Sequence, residues 1–217
     1  MTGLHLALVG STATVAANIT QRHDSVDSLL QAATTADAVL LNLPAAAIDQ
    51  ALQALRRDER YQFSLVYLLE QHDGHQLADG LLPDSMQTIA AQHEQLLGRL
   101  KAFNRGQAPG NLEERVMAWL WTRRERRVEP CRLAGSHGVY SYPLISALAA
   151  DEQVDQYLWL RLNEENGLLA PLELVDRIRL CTECNSARLN YVDVCPGCKS
   201  LDIARQPALH CFTCGHV

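Results

Sequence analysis

Asp37-Ala38-Val39-Leu40-Leu41-Asn42-Leu43-Pro44 is the stretch on which the fold of this 217-residue chain turns. The run from Ala38 to Leu43, apolar but for Asn42 and closed by a proline that cannot continue a hydrogen-bonded ladder, reads as a strand buried on both faces. It lacks the strict alternation of a half-exposed strand and is too short for an amphipathic helix. Similar runs lie on either side: Leu4 to Gly10, ending in Gly-Ser, and Phe63 to Leu69, with Gly80-Leu81-Leu82-Pro83 as a short last strand. Between them Ile48 to Arg57 is helical, with Ile48, Leu52 and Leu55 on one face. Met86 to Phe103 forms a longer helix with Ile89, His93, Leu96, Leu97 and Leu100 on one stripe. The order is strand, helix, weak strand, helix, strand, helix, strand, short link, strand, helix. It predicts an α/β class, with a doubly wound parallel sheet over residues 1–106.

No phosphate-cradling loop follows the first strand: Gly10-Ser11-Thr12 extends to neither a dinucleotide nor a Walker fingerprint. His72-Asp73-Gly74-His75 reads as a solvated turn rather than a metal site. The run from Asp37 to Pro44, with Ala78-Asp79-Gly80-Leu81-Leu82-Pro83, resembles the third and fifth strands of a response-regulator receiver domain. The resemblance sets Asn42 where the family has its phospho-accepting aspartate. It sets Val9-Gly10-Ser11 where an acidic pair would hold Mg²⁺, and Pro83-Asp84 where a lysine would stand. All three depart from the family, which implies a pseudo-receiver: a docking or dimerising platform without phosphotransfer. The helix from Met86 to Phe103 is the expected surface for a homodimer.

Gly106-Gln107-Ala108-Pro109-Gly110 is a linker by composition and places a second, small α+β domain at residues 107–217. Asn111 with Glu114 caps a helix whose apolar stripe is Leu112, Val116 and Leu120, flanked by Met117 and Trp121. Trp119 falls off that stripe, as a contact to another module would. Arg123-Arg124-Glu125-Arg126-Arg127 reads as a solvated helix end complementing the dipole. Pro143 opens a short helix, and Asp151 caps another that should bury Val154, Tyr157, Leu158 and Leu162 before stopping at Asn166-Gly167.

Six of the seven cysteines form Cys-x-x-Cys pairs near the end of the chain: Cys181/Cys184, Cys195/Cys198 and Cys211/Cys214. Two thiolates on one tight turn reach a single small cation, and a second turn completes the tetrahedral S₄ shell of Zn²⁺ at roughly 2.3 Å per bond. Pro196 and Gly197 suit the second turn, since one presets a backbone angle and the other relieves strain. The spacing predicts a zinc ribbon with structural Zn²⁺ on Cys181, Cys184, Cys195 and Cys198. A redox dithiol is ordinarily a single pair, and disulfide frameworks belong to short secreted chains. The first ten residues carry no leader-like pattern, and no apolar run approaches the ~18 residues of a membrane span. A cytoplasmic setting is expected, with Cys131 a lone thiol.

From Arg127 the features run in a distinctive order. Arg127-Val128-Glu129-Pro130, Gly138-Val139-Tyr140-Ser141-Tyr142-Pro143-Leu144, Gly167-Leu168-Leu169 and Asp176 lead into CTEC and CPGC. Leu209-His210-Cys211 and Cys214-Gly215-His216-Val217 follow. This resembles the thaumarchaeal output domain, a zinc-ribbon module attached to receiver and other signalling domains. The resemblance implies a signalling output or adaptor role and a further Cys-x-x-Cys beyond Val217, so the module reads as shortened at its C-terminus. Cys211 and Cys214 are thereby left to share a second, weaker metal with His216; His210, adjacent to Cys211, would point the other way on a strand.

The formal charge is −6. Residues 1–108 carry 7 basic and 11 acidic side chains and residues 109–217 carry 12 and 14, so neither half has the basic excess of a phosphate-backbone binder. A catalytic zinc keeps an open position, whereas four cysteines close the shell. The expected function is a non-enzymatic signalling adaptor that binds a protein partner. The alternative is a nucleic-acid-binding regulator using the ribbon or the winged-helix-like segment, and the acidic balance counts against it.

Overall fold

Five strands form one parallel sheet, β1 Leu6–Gly10, β2 Ile19–His23, β3 Ala38–Asn42, β4 Leu65–Leu68 and β5 Gly80–Leu81, in the order β2-β1-β3-β4-β5. The computed structural model describes residues 4–11, 18–71, 76–133, 140–176, 178, 181–183, 194–201 and 203. The chain divides into two compact units, Met1–Cys131 with Ser141–Gln156, and Arg132–Tyr140 with Tyr157–Val217. The first holds the sheet, flanked by α1 Val26–Gln31, α2 Ala45–Arg57 and α3 Met86–Ala102. This is an α/β fold, and its strand order is that of the flavodoxin-like doubly wound sheets, consistent with a receiver-like fold. The helix expected between the first two strands falls on residues outside those described.

Burial on both faces explains the apolar runs. Leu6, Leu8, Ala38, Leu40, Leu65 and Tyr67 form one buried cluster with Ile89 and Leu96 of α3. The alternate residues Ala7, Val9, Val39, Leu41, Val66 and Leu68 are buried as well. Each fully buried Leu or Ile contributes roughly 1.5–3 kcal/mol. The predicted face of α2 is the buried one, since Ile48, Leu52 and Leu55 are all within the core. On α3 only Ile89 and Leu96 are buried, whereas Leu97 is half exposed.

At residue 106 the chain does not leave this unit, which continues to Cys131 and takes in Ser141–Gln156. Helix α4, Leu112–Thr122, packs on α3 and on α5, Pro143–Leu148, which in turn packs on α2. The boundary read from linker composition at 106/107 therefore does not coincide with the edge of the compact unit. The face of α4 also differs from expectation. Leu112, Val116, Ala118, Trp119 and Thr122 are buried, and Trp121 is exposed. Trp119 lies on the packed stripe rather than off it, because α3 and α5 cover that side.

The basic run after α4 is likewise not wholly solvated. Arg123 is buried; its Nε donates to Asp79 Oδ1 at 2.7 Å and its guanidinium lies 4.9 Å from the centre of the Trp119 ring. Arg56, at the end of α2, donates from Nη2 to Asp79 Oδ2 at 3.1 Å and from Nε to the Leu77 carbonyl at 3.0 Å. The Val66 amide completes the Asp79 shell at 2.8 Å, and Arg126 Nη2 donates to the Ala78 carbonyl at 2.8 Å. Burial by itself would raise the Asp79 carboxyl, but the charges of Arg123 and Arg56 outweigh it and hold the group below its ordinary range.

The second unit contains all of α6, Gln156–Glu165, except its first residue. Trp159 and Asn163 are its buried residues. Tyr157, Leu158 and Leu162, expected inside, are exposed, and Val154 is half-buried. The stop signal holds: Gly167 takes φ 71°, and the amides of Leu168 and Leu169 turn back to the Asn163 carbonyl at 2.9 and 3.2 Å. Short strands β6 Cys131–Arg132 and β7 Tyr140–Ser141 lie where the chain passes between the units. Among the described residues no helix is long and apolar enough to cross a membrane.

Asp79→Asn should cost unit 1 about 3–5 kcal/mol, because two buried guanidinium groups lose their counter-charge. The folded-state pKa is depressed, so the wild-type advantage is fully present above about pH 4 and is lost as pH falls through the folded pKa. Urea denaturation at neutral and acidic pH measures both effects. An unchanged midpoint at neutral pH would contradict the role of Asp79.

Candidate functional site

In open parallel sheets, ligands bind outside the carboxyl ends of the strands where the order reverses, here between β1 and β3. Gly10 ends β1 at φ 102°, and a Cβ there would sit 2.2 Å from the Asn42 carbonyl oxygen, so only glycine fits. The Ser11 amide donates to that oxygen at 3.1 Å. In return Asn42 Nδ2 donates to the Ser11 carbonyl at 2.9 Å. The side chain at the end of β3 is thus spent on cross-linking two strand ends. A carboxylate could not make this bond, since it has no proton to donate. Residues 10–18 contain no Asp or Glu, and Asp84 beyond β5 is exposed.

The second candidate is the turn at Cys195-Pro196-Gly197-Cys198. It is closed from outside by the Cys195 amide to the Ser200 carbonyl and the Lys199 amide to the Cys195 carbonyl, both at 2.9 Å. Lys199 carries the reversal at φ 61°. Within the turn the Cys198 amide donates to the Cys195 sulfur, helped by the Cys198 thiol and the Gly197 amide, and these bonds hold the Cys195 thiol below its ordinary range. Thiolate is the form in which a cysteine would ligate a metal.

Of the seven predicted metal residues, Cys181, Cys195 and Cys198 are described; Cys184, Cys211, Cys214 and His216 lie outside the described residues. So do His72, Asp73 and His75. Among the described residues no group of three His, Cys, Asp or Glu side chains could hold a metal ion. The structure therefore brings Cys195 and Cys198 together but does not gather half-buried Cys181 to them.

One contact of the second unit joins residues that sequence order alone left apart. The Tyr140 hydroxyl donates to Asp176 Oδ2 at 2.7 Å, and this bond pushes the phenol upward. The Tyr157 hydroxyl donates to the Tyr140 carbonyl at 3.0 Å. Both Tyr140 and Asp176 belong to the ordered set of features that leads into the cysteine turns. Their partnership spans 36 positions and has no local signal.

A family model, thaumarchaeal output domain 1, matches residues 104–217. The chain belongs to this family. Comparison with curated proteins finds no match, and comparison with solved structures finds none. The match to the output-domain family opens at the 3₁₀ turn Phe103–Gly106, close to the linker, and takes in α4, α5, α6 and all three cysteine pairs. It leaves the sheet outside.

Lys199→Gly should steady the turn. A left-handed conformation costs a non-glycine residue about 1–2 kcal/mol, and glycine returns about 0.5–1 kcal/mol of that as backbone entropy. Amide hydrogen exchange at Cys195 and position 199 is expected to slow roughly two- to fivefold. Faster exchange would show that the lysine side chain itself holds the turn.

Proposed function

We propose that the protein is a signalling output protein that works without catalysis, a phosphorylation-incompetent receiver-like domain joined to a zinc-ribbon output module that binds a protein partner in the cytoplasm. Membership of the output-domain family supports the signalling role. The observation that carries the finer reading is Asn42. Its amide donates to Ser11 where a receiver would present a nucleophilic carboxylate. With no acidic residue among positions 10–18, nothing beside it would hold Mg²⁺.

The ribbon reading rests on the chemistry of the donor set. A Cys195 sulfur that receives two backbone amides and faces Cys198 fits a soft divalent cation. Cys181, Cys184, Cys195 and Cys198 would hold Zn²⁺, with Cys211, Cys214 and His216 as a second and weaker set. The ion would supply a structural cross-link worth on the order of 10 kcal/mol of folding energy in small modules. An acidic chain with a closed four-thiolate shell is suited to recognising protein rather than nucleic acid.

Incubation with acetyl phosphate and Mg²⁺ should leave the intact mass unchanged for the wild type and for Asn42→Asp. The variant should also unfold more readily, by about 1–3 kcal/mol, because its carboxylate faces the Ser11 carbonyl. A phospho-adduct within residues 1–106 of the wild type would overturn the reading. For the metal, one tightly held Zn²⁺ per chain is expected, lost in Cys198→Ser. Elemental analysis finding no metal in wild-type protein purified without chelator would overturn the ribbon.

A further inference from the structure

Most of the large apolar side chains left exposed among the described residues belong to the second unit. On α6, Leu158 and Leu162 stand one turn apart, on a flank of the helix separate from that of the buried pair Trp159 and Asn163. Leu168, just past the helix stop, is held to the last turn by the bond from its amide to the Asn163 carbonyl at 2.9 Å. In a stop of this kind the residue after the glycine packs near the one a turn inside the helix end, here Leu162. Leu172, Leu174 and Val175 follow in the irregular segment beyond. That segment is tied back to the start of α6, because Tyr140 accepts from the Tyr157 hydroxyl and donates to Asp176. It therefore runs the length of the helix, roughly 15 Å for ten residues. The six side chains are 43 to 73% exposed, a concentration of apolar surface that ordinarily marks an interaction site.

The charge around them has one sign. Between Tyr157 and Asp176 stand four carboxylates, Glu164, Glu165, Glu173 and Asp176, and a single cation, Arg161. Arg161 lies 3.6 Å from Glu165. Glu164 and Glu165 occupy the last turn of α6, at the negative end of the helix dipole, and no basic residue shares that turn.

We propose that this acidic, apolar face is where the output module receives its protein partner, and that the partner presents a cationic amphipathic helix. Its apolar side chains, spaced one turn apart, lie against Leu162, Leu168 and Leu172, and its Lys or Arg side chains meet Glu164 and Glu165. The proposal rests on the adaptor reading and names the chemistry of the partner. Charge selects the occupant. A second copy brings the same four carboxylates, and nucleic acid and anionic lipid carry the same sign, so each is repelled. A cationic helix buries the leucines and supplies the last turn of α6 with the positive charge it lacks. The rim charges set orientation and encounter rate, and the leucines supply the affinity.

The test is fluorescence anisotropy of a labelled synthetic helix of leucine and lysine, with leucines at i, i+3, i+4 and i+7, titrated with the full chain. Two further peptides serve as comparisons, one with the same residues scrambled and one with glutamate in place of lysine. The patterned lysine peptide should bind at least tenfold more tightly than either. Leu162→Ser and Glu164→Lys should each weaken that binding tenfold or more, the first by removing apolar contact and the second by reversing a charge. Leu172→Ser, at the most exposed of the six positions, should weaken it with no change in thermal midpoint. Leu97→Ser, at an exposed leucine of the first unit, should leave it unaltered. Equal binding of the patterned and scrambled peptides would overturn the proposal, as would an affinity indifferent to Leu162→Ser and Leu172→Ser or a loss shared by Leu97→Ser. Sedimentation showing a wild-type dimer that Leu162→Ser dissociates would give the face to a second copy and overturn it as well. The phosphate and zinc measurements do not involve this face, so its failure is distinct from failure of the adaptor reading.

Discussion

Two guanidinium groups buried on one carboxylate impose the strictest requirement in the first unit. Arg56 arrives from the end of α2, Arg123 from the end of α4, and Asp79 from the residue before β5. One negative charge cannot balance two positive ones, and the remainder is solvated by backbone. Arg56 reaches the carbonyls of Tyr61, Ser64 and Leu77, and Arg123 reaches those of Phe63 and Ser64. These carbonyls belong to the segments that enter β4 and β5. Burial and the neighbouring Arg123 lower the Arg56 pKa to about 10, which still leaves it charged at neutral pH. The cluster therefore fixes where the last two strands begin and where α4 ends.

This arrangement has a consequence for the family to which the chain belongs. The matched segment starts at residue 104, yet its first two helices pack on α2 and α3 and its Arg123 completes a cluster centred on Asp79. The output-domain sequence thus begins inside the unit that contains the sheet. Arg123 of the matched segment thus shares its carboxylate with Arg56 of α2, which ties that segment to the sheet.

The cysteine turn works by a different economy. Here no large core holds the geometry; short-range hydrogen bonds do. The Cys195 sulfur accepts hydrogen bonds from two amides in its own turn, and Lys199 takes a left-handed conformation where the chain closes back through Ser200. A turn closed by neighbouring residues needs little from its surroundings, which is why its spacing is so readable in sequence.

What was legible in the chain is what depends on near neighbours. Strands β1, β3 and β4 announce themselves because a strand buried on both faces must be apolar throughout. Helix α2 does so because one side of it is apolar and the other is not. The Asn111 cap and the Gly167 stop are equally local, and each appears where the residue types require it. Trp119 stands seven residues after Leu112 and three after Val116, so helical spacing itself sets it on their stripe and Trp121 opposite, which is how α4 packs. The other errors share one cause. In α6 the buried pair is Trp159 and Asn163 rather than the leucines beside them. Arg123 looked like a solvated helix end because its partner lies 44 positions away. Sequence by itself determined which segments are strands and helices and where the tight cysteine turn lies, since those follow from interactions a few residues long. Which face of each helix is buried, which arginines lie in the core and where the first unit ends were decided by tertiary packing, because burial is a property of neighbours brought from elsewhere in the chain.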